Sequence, residues 1–272
     1  MTATTLRASD LVALHNAASD GSLELLYQPE IDLQTGAIVA MEALLRWHHG
    51  QEGTRTPAEF LDLAEHSGDM TPISAWVLEE AAAEAERWKS VGGAARQLFV
   101  NVSASQLVAP GFVDDVVEVM ERHGLPAGSL GIEVTEGAIT MLGGRALPLL
   151  AELRSAGVVL AVDDFGTWYS TLGALEELPI HAVKLDQRYV RGVGGDLDGD
   201  TIVASVIALA HARGLYVVAE GVESWAESAR LTELGCDRAH GFLFASAQRA
   251  DKARWMLSQG QGWRVGTVPT PR

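Results

Sequence analysis

The chain has 272 residues, with 20 lysines and arginines against 36 aspartates and glutamates, so its formal charge at pH 7 is −16. Such an acidic chain argues against a nucleic-acid-binding surface. With 47% hydrophobic and 21% charged residues, the composition is that of a globular protein, and the length suffices for one large barrel or two ordinary domains.

The cysteine content and the hydropathy bear on location. Cys236 is the sole cysteine, so no internal disulfide can form, and a reducing compartment such as the cytoplasm is expected. No stretch approaches the ~20 apolar residues of a membrane helix, and the first residues lack the apolar centre of a signal peptide. We therefore expect a cytoplasmic segment with no membrane span. The cytoplasmic part of a larger, membrane-anchored protein would show the same features.

Apolar, β-branched runs alternate along the chain with amphipathic stretches of helical spacing. Eight runs are predicted strands: Leu23–Tyr27, Ile38–Leu45, Gln97–Val102, Leu130–Val134, Val158–Val162, Ala182–Leu185, Tyr216–Ala219 and Ala239–Leu243. Seven stretches are predicted helices: Pro57–His66, Pro72–Lys89, Phe112–His123, Arg145–Ala156, Tyr169–Glu177, Thr201–Arg213 and Trp225–Leu234. No linker interrupts the alternation. We therefore expect a helical N-terminal extension over residues 1–20, one barrel over residues 21–260 and a C-terminal tail over residues 261–272.

The strand pattern favours a closed, mainly parallel sheet. Val158–Val162 and Tyr216–Ala219 are almost wholly apolar, as strands buried on both faces are. Eight strand–helix units in about 250 residues fit a TIM-like (β/α)8 barrel better than an open dinucleotide-binding sheet, whose glycine fingerprint is missing after the first strand. The connection from Tyr27 to Ile38 is too short for a helix and contains a turn signal, which predicts a hairpin. The expected fold class is therefore an α/β barrel with an antiparallel first strand.

Polar side chains recur at the carboxyl ends of these strands, where barrels of this type carry their active sites. They are Glu42, Asn101, Glu133, Asp163, Asp164, Lys184 and Glu220. Five carboxylates that meet at one mouth repel one another unless cations lie between them. The ligands are oxygens, which favours Mg²⁺ or Mn²⁺, and the adjacent Asp163 and Asp164 suit a pair of ions. Two such ions are the usual apparatus for hydrolysing a phosphodiester, and Lys184 would hold a phosphate oxygen or orient the attacking water.

Taken singly, each of these residues has a plainer interpretation. An acid at a strand end is often a helix cap or an ion-pair partner, and an isolated Asp-Asp pair is often a solvated turn. Lys184 alone would suit a surface lysine. The catalytic interpretation depends on their convergence.

The stretch Met41–Trp47 contains Glu42-Ala43-Leu44, the triplet that names the EAL-domain family of cyclic di-GMP phosphodiesterases. The chain resembles that family from Leu23 to Ala247, through the ordered segments YQPEIDLQTG, PAEFLDLAEHSG, FVNVSASQL, IEVTEGAI, VDDFGTWYSTL, LPIHAVKLDQRYV, VVAEGVES and CDRAHGFLFA. The triplet alone is a weak signal, whereas so many segments in one order are not expected by chance. The resemblance implies a (β/α)8 barrel with an antiparallel first strand that hydrolyses cyclic di-GMP to linear pGpG in bacterial signalling, with two Mg²⁺ or Mn²⁺ ions.

The resemblance also implies roles for the acids. One ion would be held by Glu42, Asn101, Glu133 and Asp163. Asp163 would bridge to a second ion that Asp164 also holds. Glu220 would be a further ligand or the base that activates water, and Lys184 would contact that water.

Further positions follow from the same resemblance. Arg46 matches an arginine that binds a substrate phosphate, and Gln28 matches a substrate-contacting glutamine. Glu136 and Glu223 match glutamates that hold the loop Asp164–Ser170 in its active shape, and that loop couples the metal site to a homodimer contact.

Four positions depart from the family pattern; His181, in place of an acid, and Ala247, in place of a proline, are expected to matter less than the other two. Trp168 stands where the family usually has glycine, so it would alter the loop or pack at the dimer contact. His240 stands at the position of a substrate-binding glutamine; it still offers a hydrogen bond, but its charge varies near neutral pH.

Three functional interpretations stay open. The first is an active phosphodiesterase, because every ligand position holds a competent residue. The second is an EAL-type module that binds cyclic di-GMP or a protein partner without turnover, which Trp168 and His240 would favour. The third is an unrelated metal-dependent barrel of the enolase type, which explains the acids but not the ordered segments. In each case an input signal would come from a sensory domain elsewhere in a longer chain, from a partner protein or from concentration-dependent dimerisation.

Overall fold

The computed structural model describes residues 8–50, 53–91, 96–166, 177–194 and 197–259. Its strands are β1 (Leu23–Asp32), β2 (Ile38–His49), β3 (Gly53–Arg55), β4 (Gln97–Asn101), β5 (Leu130–Thr135), β6 (Val159–Phe165), β7 (Ala182–Leu185), β8 (Tyr216–Ala219) and β9 (Arg238–Ala239). Its helices are α1 (Ala8–Asp20), α2 (Pro57–Ser67), α3 (Met70–Trp88), α4 (Ala104–Leu107), α5 (Phe112–Arg122), α6 (Glu136–Leu142), α7 (Ala146–Ser155), α8 (Gln187–Val190), α9 (Leu197–Ala212), α10 (Trp225–Glu233) and α11 (Ala250–Gln259), with a 3-10 turn at Gly143–Arg145. None of the helices in these ranges is long and apolar enough to cross a membrane.

Eight of the strands close into a barrel. Their order is β2-β4-β5-β6-β7-β8-β9-β1, and β1 pairs back with β2. The ring is parallel from β2 to β9, whereas β1 runs antiparallel to both of its neighbours. Strand β3 lies outside the ring and pairs with the end of β2. The predicted (β/α)8 barrel with an antiparallel first strand is therefore confirmed.

The predicted strands are all present. Ala182–Leu185 and Tyr216–Ala219 have the predicted ends, whereas β1 continues to Asp32 and the last strand is reduced to Arg238–Ala239. The sequence pattern misses β3, α4 and α8, because three or four residues are too few to show a period, and it also misses α6 and α11. The predicted helix Tyr169–Glu177 lies outside the described residues except for its last position.

Helix α2 shows how local sequence signals set an element's ends. Thr56 precedes Pro57, and its backbone N–H and its hydroxyl both donate to the Glu59 carboxylate at 2.7 Å. Proline at the first helical position removes no hydrogen bond, and its fixed φ suits the helix. Gly68 ends the helix at φ 84°, where a side chain would be strained.

A layer of buried alanine and glycine residues, together with one phenylalanine ring, lies directly beneath the polar strand ends. Because side chains alternate along a strand, the residues two positions earlier share the inward face. They include Ala40, Phe99, Gly131, Ala161 and Ala182, all of them buried. The Phe99 ring covers Gly131 so closely that a Cβ there would lie 2.3 Å from its Cδ1 atom. Phe99 therefore forms a floor under the barrel mouth, and only glycine fits beneath it.

Glu84 is a fully buried carboxylate that joins α11 to α3. Its two oxygens accept from Arg254 Nη1 at 2.9 Å and 2.6 Å, from Arg87 at 3.1 Å and from Trp88 Nε1 at 2.8 Å. A buried charge is tolerated only when it is paired in this way. The contact fixes the C-terminal helix against the outer layer of the barrel.

Replacing Gly131 by alanine tests the packing under Phe99. We expect Gly131→Ala to lower the free energy of unfolding by about 1–3 kcal/mol, since the ring must leave its packed position. Urea denaturation measures the change. Gly144→Ala is the matched control, because a Cβ there meets no atom within 4 Å. Equal stability of the two variants would contradict the close contact.

Removing the Glu84 carboxylate tests the connection to α11. We expect Glu84→Ala to lower the free energy of unfolding by about 3–5 kcal/mol, because Arg254 and Trp88 lose a buried partner. Chemical denaturation followed by circular dichroism measures it. Glu118, whose side chain is 70% exposed and pairs with Arg122, provides the control. Its alanine variant should lose less than about 1 kcal/mol, and a similar loss in Glu84→Ala would argue against a structural ion pair.

Candidate active site

The predicted site residues lie at one end of the barrel, distributed over seven strands or the residues that follow them. Glu42 lies on β2, Asn101 on β4, Glu133 on β5, Asp163 and Asp164 on β6, Lys184 on β7, Glu220 just after β8 and His240 just after β9. Strand register brings neighbouring members together, since Asn101 pairs with Glu133 and Gln28 of β1 pairs with Glu42. Asn101 Nδ2 donates to Glu42 Oε1 at 2.7 Å.

Lys184 lies at the centre of this group, with 1% of its surface exposed. Its Nζ atom is 2.7 Å from Glu133 Oε2, 2.7 Å from Glu220 Oε1, 3.2 Å from Glu42 Oε2 and 3.7 Å from Asp163 Oδ1. A buried ammonium is stable only if carboxylates compensate for its lost hydration. Burial lowers the pKa of Lys184, but the four carboxylates outweigh burial and raise it well above its ordinary value. Lys184 is therefore a cation within the acidic group, and the interpretation as a surface lysine is wrong.

Two carboxylates of the group stay ionised. Burial raises the pKa of Glu42, but the attraction of Lys184 and then of His240 leaves it below the ordinary value. Burial likewise raises the pKa of Glu220, and Lys184 together with a His240 hydrogen bond brings it far below the ordinary value. Both side chains are therefore anionic hydrogen-bond acceptors at neutral pH.

The other inward acids bind protons more strongly. Burial, with a further contribution from Glu42, raises the pKa of Glu133 well above its ordinary value. Burial also raises the pKa of Asp163 to about 7, where Glu220 and Glu42 add to the effect and Lys184 opposes it. Glu133 Oε1 is buried and has no hydrogen-bond partner among the described residues. One ammonium is thus too little positive charge for this many buried carboxylates.

An irregularity in β6 lets two consecutive acids serve the same site. Consecutive side chains on a regular strand point to opposite faces. The pairing of β6 with β7 shifts register between Val162 and Phe165, and Asp164 has φ 54°, an unusual value for a residue other than glycine. The backbone N–H of Asp164 donates to Asp163 Oδ1 at 2.9 Å. With this bulge, oxygens of Asp163 and Asp164 come near each other and near Glu220.

The segment after β6 is held by groups on neighbouring elements. Glu136, 4% exposed at the start of α6, accepts from the Gly166 backbone N–H at 2.8 Å. Tyr189 of α8 donates its hydroxyl to the Gly166 carbonyl. Glu223 lies farther out, with Oε1 3.8 Å from Arg191 Nη2. Trp168 and the rest of the loop from residue 167 onward lie outside the described residues.

Two predicted substrate contacts lie on β1 and β2, where they bond the backbone. Gln28, 9% exposed, donates Nε2 to the Ala245 carbonyl at 3.1 Å. Arg46 donates Nη1 to the Leu45 carbonyl at 2.8 Å. Partial burial lowers the pKa of Arg46, with Glu42 opposing the shift. Arg46 lies on β2, the same strand as Glu42, and four residues beyond it.

Asp186 is a further acid near the site that is not among the predicted site residues. It lies two residues beyond Lys184, where its carboxylate accepts from the Arg188 N–H at 2.8 Å and begins α8. Burial raises the pKa of Asp164, and Glu220 and then a contact with Asp186 add to the effect. The signal was present in the run Lys184-Leu185-Asp186, because alternate residues on a strand share a face.

The carboxylates form two groups that could each hold a cation. Oxygens of Asp163, Asp164 and Glu220 lie within 4.8 Å of one another, and so do donor atoms of Glu42, Glu220 and His240. Glu220 belongs to both groups. Three features of the site suit divalent cations. Glu133 Oε1 has no hydrogen-bond partner among the described residues, the group has more negative than positive charge, and most of its donor atoms are oxygens.

The chain matches the EAL domain family over residues 11–247. It is 41% identical over 246 residues to an uncharacterised protein of Mycobacterium tuberculosis, covering 90% of this chain and 40% of that protein. It is 38% identical over 239 residues to the bifunctional diguanylate cyclase and cyclic di-GMP phosphodiesterase MucR of Pseudomonas aeruginosa, covering 88% and 35% respectively. The solved phosphodiesterase structure of MucR in complex with c-di-GMP superposes with a TM-score of 0.85 at 38% identity, covering 89% of this chain and 98% of that one. The chain thus spans about two-fifths of the length of the curated relatives it matches.

The raised pKa of Asp163 predicts a pH-dependent stability in cation-free protein. Its folded-state pKa of about 7 lies above the ordinary 3.8, so its stabilising effect is complete below pH 3.8 and is lost as the pH rises through 7. Between pH 5 and pH 8, the free energy of unfolding should therefore fall by about 2 kcal/mol more in the native protein than in Asp163→Asn. Urea denaturation in EDTA at both pH values measures this difference.

Asp114→Asn, at an exposed position on α5, is the control and should keep the native pH dependence. Identical pH dependence in the native protein and Asp163→Asn would show that this carboxyl titrates normally.

Proposed function

The chain belongs to the EAL domain family, and from this we propose that it hydrolyses cyclic di-GMP to linear pGpG in a metal-dependent reaction. The observation that carries the proposal is the convergence of five carboxylates and the buried Lys184 at one barrel mouth. A binding module without turnover is not favoured, because every expected ligand position holds a donor residue. An enolase-type barrel is not favoured either, since the family match spans most of the chain.

We propose that two ions, Mg²⁺ or Mn²⁺, bind at this mouth. The first would be held by Glu42, Asn101, Glu133 and Asp163, and the second by Asp163, Asp164 and Glu220. The partnerless Glu133 oxygen and the closeness of Asp163, Asp164 and Glu220 support these assignments. When bound, such cations polarise the phosphate oxygens and make water easier to deprotonate.

The chain's own residues would direct the attacking water. Glu220 is anionic and bonds both Lys184 and His240, so its orientation is fixed before substrate arrives. We propose that Glu220 and Lys184 orient the attacking water, with Glu42 and Asp164 also needed for catalysis. The water oxygen forms a bond to one phosphorus as the bond from that phosphorus to the 3′ oxygen breaks, and the proton that the water loses is balanced by one taken up at the 3′ oxygen, which gives pGpG with a 3′ hydroxyl.

Substrate contacts would come from residues around the rim. Arg46 is a permanent cation beside the acidic group and suits a phosphate oxygen. The Gln28 amide and the His240 imidazole offer polar groups for the remaining contacts. Glu136 would position the segment after β6 through its bond to Gly166, and Glu223 would assist from the outer side of that loop.

The organisation of the whole protein belongs to the same proposal. We assign residues 1–20 to an N-terminal extension, 21–260 to the barrel and 261–272 to a tail. The greater length of the relatives supports a sensory domain or partner protein as the source of input. We also propose that the active form is a homodimer, as the family resemblance implies.

Deleting the Glu42 carboxylate tests the proposed activity. Glu42→Ala should reduce pGpG formation at least 10³-fold, about 4 kcal/mol of transition-state stabilisation, because it removes a metal ligand and a Lys184 partner. Purified protein is incubated with cyclic di-GMP and Mg²⁺ or Mn²⁺, and pGpG is followed by chromatography.

EDTA should abolish turnover in the native protein, and added Mn²⁺ should restore it. Glu152→Ala, at an exposed position on α7, is the matched control and should retain native turnover. Undiminished turnover in Glu42→Ala, with circular dichroism showing a folded protein, would refute the assignment. Intact substrate that still binds in calorimetry would indicate a binding module.

A further inference from the structure

His240 is held firmly at the barrel mouth. Its backbone N–H donates to the Ala219 carbonyl at 2.9 Å, and its carbonyl accepts from the Val222 N–H at 3.1 Å. The following Gly241 approaches Val222 so closely that a Cβ there would lie 2.2 Å from the Val222 carbonyl oxygen. The backbone that carries the imidazole is therefore held in place on both sides.

The imidazole points into the acidic group. Its Nε2 atom lies 3.0 Å from Glu220 Oε1 and 3.8 Å from Glu42 Oε2, and 14% of the side chain is exposed. Its Nδ1 atom is buried and has no hydrogen-bond partner among the described residues. His240 thus presents one nitrogen to two carboxylates and has no other polar contact that would hold it elsewhere.

These separations suit donors that share one cation. Donors about 2.1 Å from the same ion are about 3.0 Å apart when adjacent and about 4.2 Å apart when opposite. Both distances from His240 Nε2, 3.0 Å and 3.8 Å, fall within that interval. The two oxygens also contact Lys184, but a carboxylate oxygen has two lone pairs and serves two partners.

We infer that His240 is a direct metal ligand that shares the first of the two proposed cations with Glu42, that Glu220 is a ligand common to both cations, and that His240 biases the first position towards Mn²⁺ over Mg²⁺. The inference rests on the proposed function for the presence of the cation. It gives His240 a different role from the substrate contact expected from the sequence.

The bias follows from the donor atom. Mg²⁺ prefers oxygen ligands and holds its water tightly, whereas transition-metal cations accept imidazole more readily; their affinities rise from Mn²⁺ to Cu²⁺, so the bias towards Mn²⁺ is the smallest in the series. The glutamine expected at this position from the family resemblance would offer a carbonyl oxygen. Histidine replaces that oxygen by nitrogen without adding a negative charge, so the change alters cation preference more than overall attraction.

The test detects the nitrogen directly. The full chain is loaded with one equivalent of Mn²⁺, and pulsed electron paramagnetic resonance records the electron spin echo modulation. We expect ¹⁴N modulation typical of a coordinated imidazole, which changes to that of ¹⁵N when the histidines are labelled. In His240→Gln the modulation should disappear, and the ratio of Mn²⁺ to Mg²⁺ affinities in calorimetry should fall about tenfold or more.

His66→Gln is the control, since His66 is exposed at the end of α2 and should leave both signals unchanged. Bound Mn²⁺ without histidine modulation in the native protein would overturn the inference, and this outcome needs no variant to fold. Modulation that persists in His240→Gln would overturn it as well.

The outcomes separate this inference from the proposed function. Mn²⁺-dependent pGpG formation without histidine modulation would leave the phosphodiesterase standing and remove His240 from the ligand set. Failure of both Mn²⁺ and Mg²⁺ to bind would overturn both, whereas binding of Mg²⁺ alone would overturn only the role of His240. Histidine modulation without turnover would retain the ligand and overturn the proposed activity.

Discussion

The attraction between the buried Lys184 ammonium and the surrounding carboxylates is the interaction on which the barrel mouth depends. Desolvation opposes every one of these charges, so neither the lysine nor the acids would be stable there alone. Lys184 contacts Glu42, Glu133 and Glu220 within 3.2 Å, yet one positive charge cannot balance them and Asp163 together. The raised pKa values of Glu133 and Asp163 express that remaining imbalance. Further cations are the simplest way to ionise the whole group.

The barrel supplies the geometry that makes this concentration of charge workable. Closed strands leave no edge, and their alternation directs every second side chain to the axis. Beneath the acids the same faces carry alanines, Gly131 and the Phe99 ring, so the charges rest on a packed apolar floor. On a regular strand, Asp164 would point away from the face that carries Asp163. The bulge in β6 brings it to the same site.

The barrel and most of the acids at its mouth could be predicted from the sequence, because the ends of the strands can be recognised there. Apolar runs give the strands, and the polar residue that follows each run lies at the mouth once the sheet is parallel. The contact set of Lys184 is beyond such reasoning, since it depends on the register between strands. The left-handed Asp164, the pairing of Phe99 with Gly131 and the burial of Glu84 depend on tertiary packing in the same way. Asp186 could have been found, because it shares the inward face with Lys184.

As a metal ligand, His240 would change the chemistry of the site while keeping its charge. The overall attraction of the site for cations depends on the charges of the acids, as reduced by Lys184 and modified by burial. A neutral ligand contributes little to it. A neutral donor added to this frame has little effect on charge, but its atom type enters the coordination of whichever ion lies beside Glu42 and Glu220. Because the backbone around Gly241 admits no side chain, the donor position itself is constrained. With His240 as a ligand, the selectivity of this barrel among divalent cations would depend on one residue, while the acidic residues stay the same.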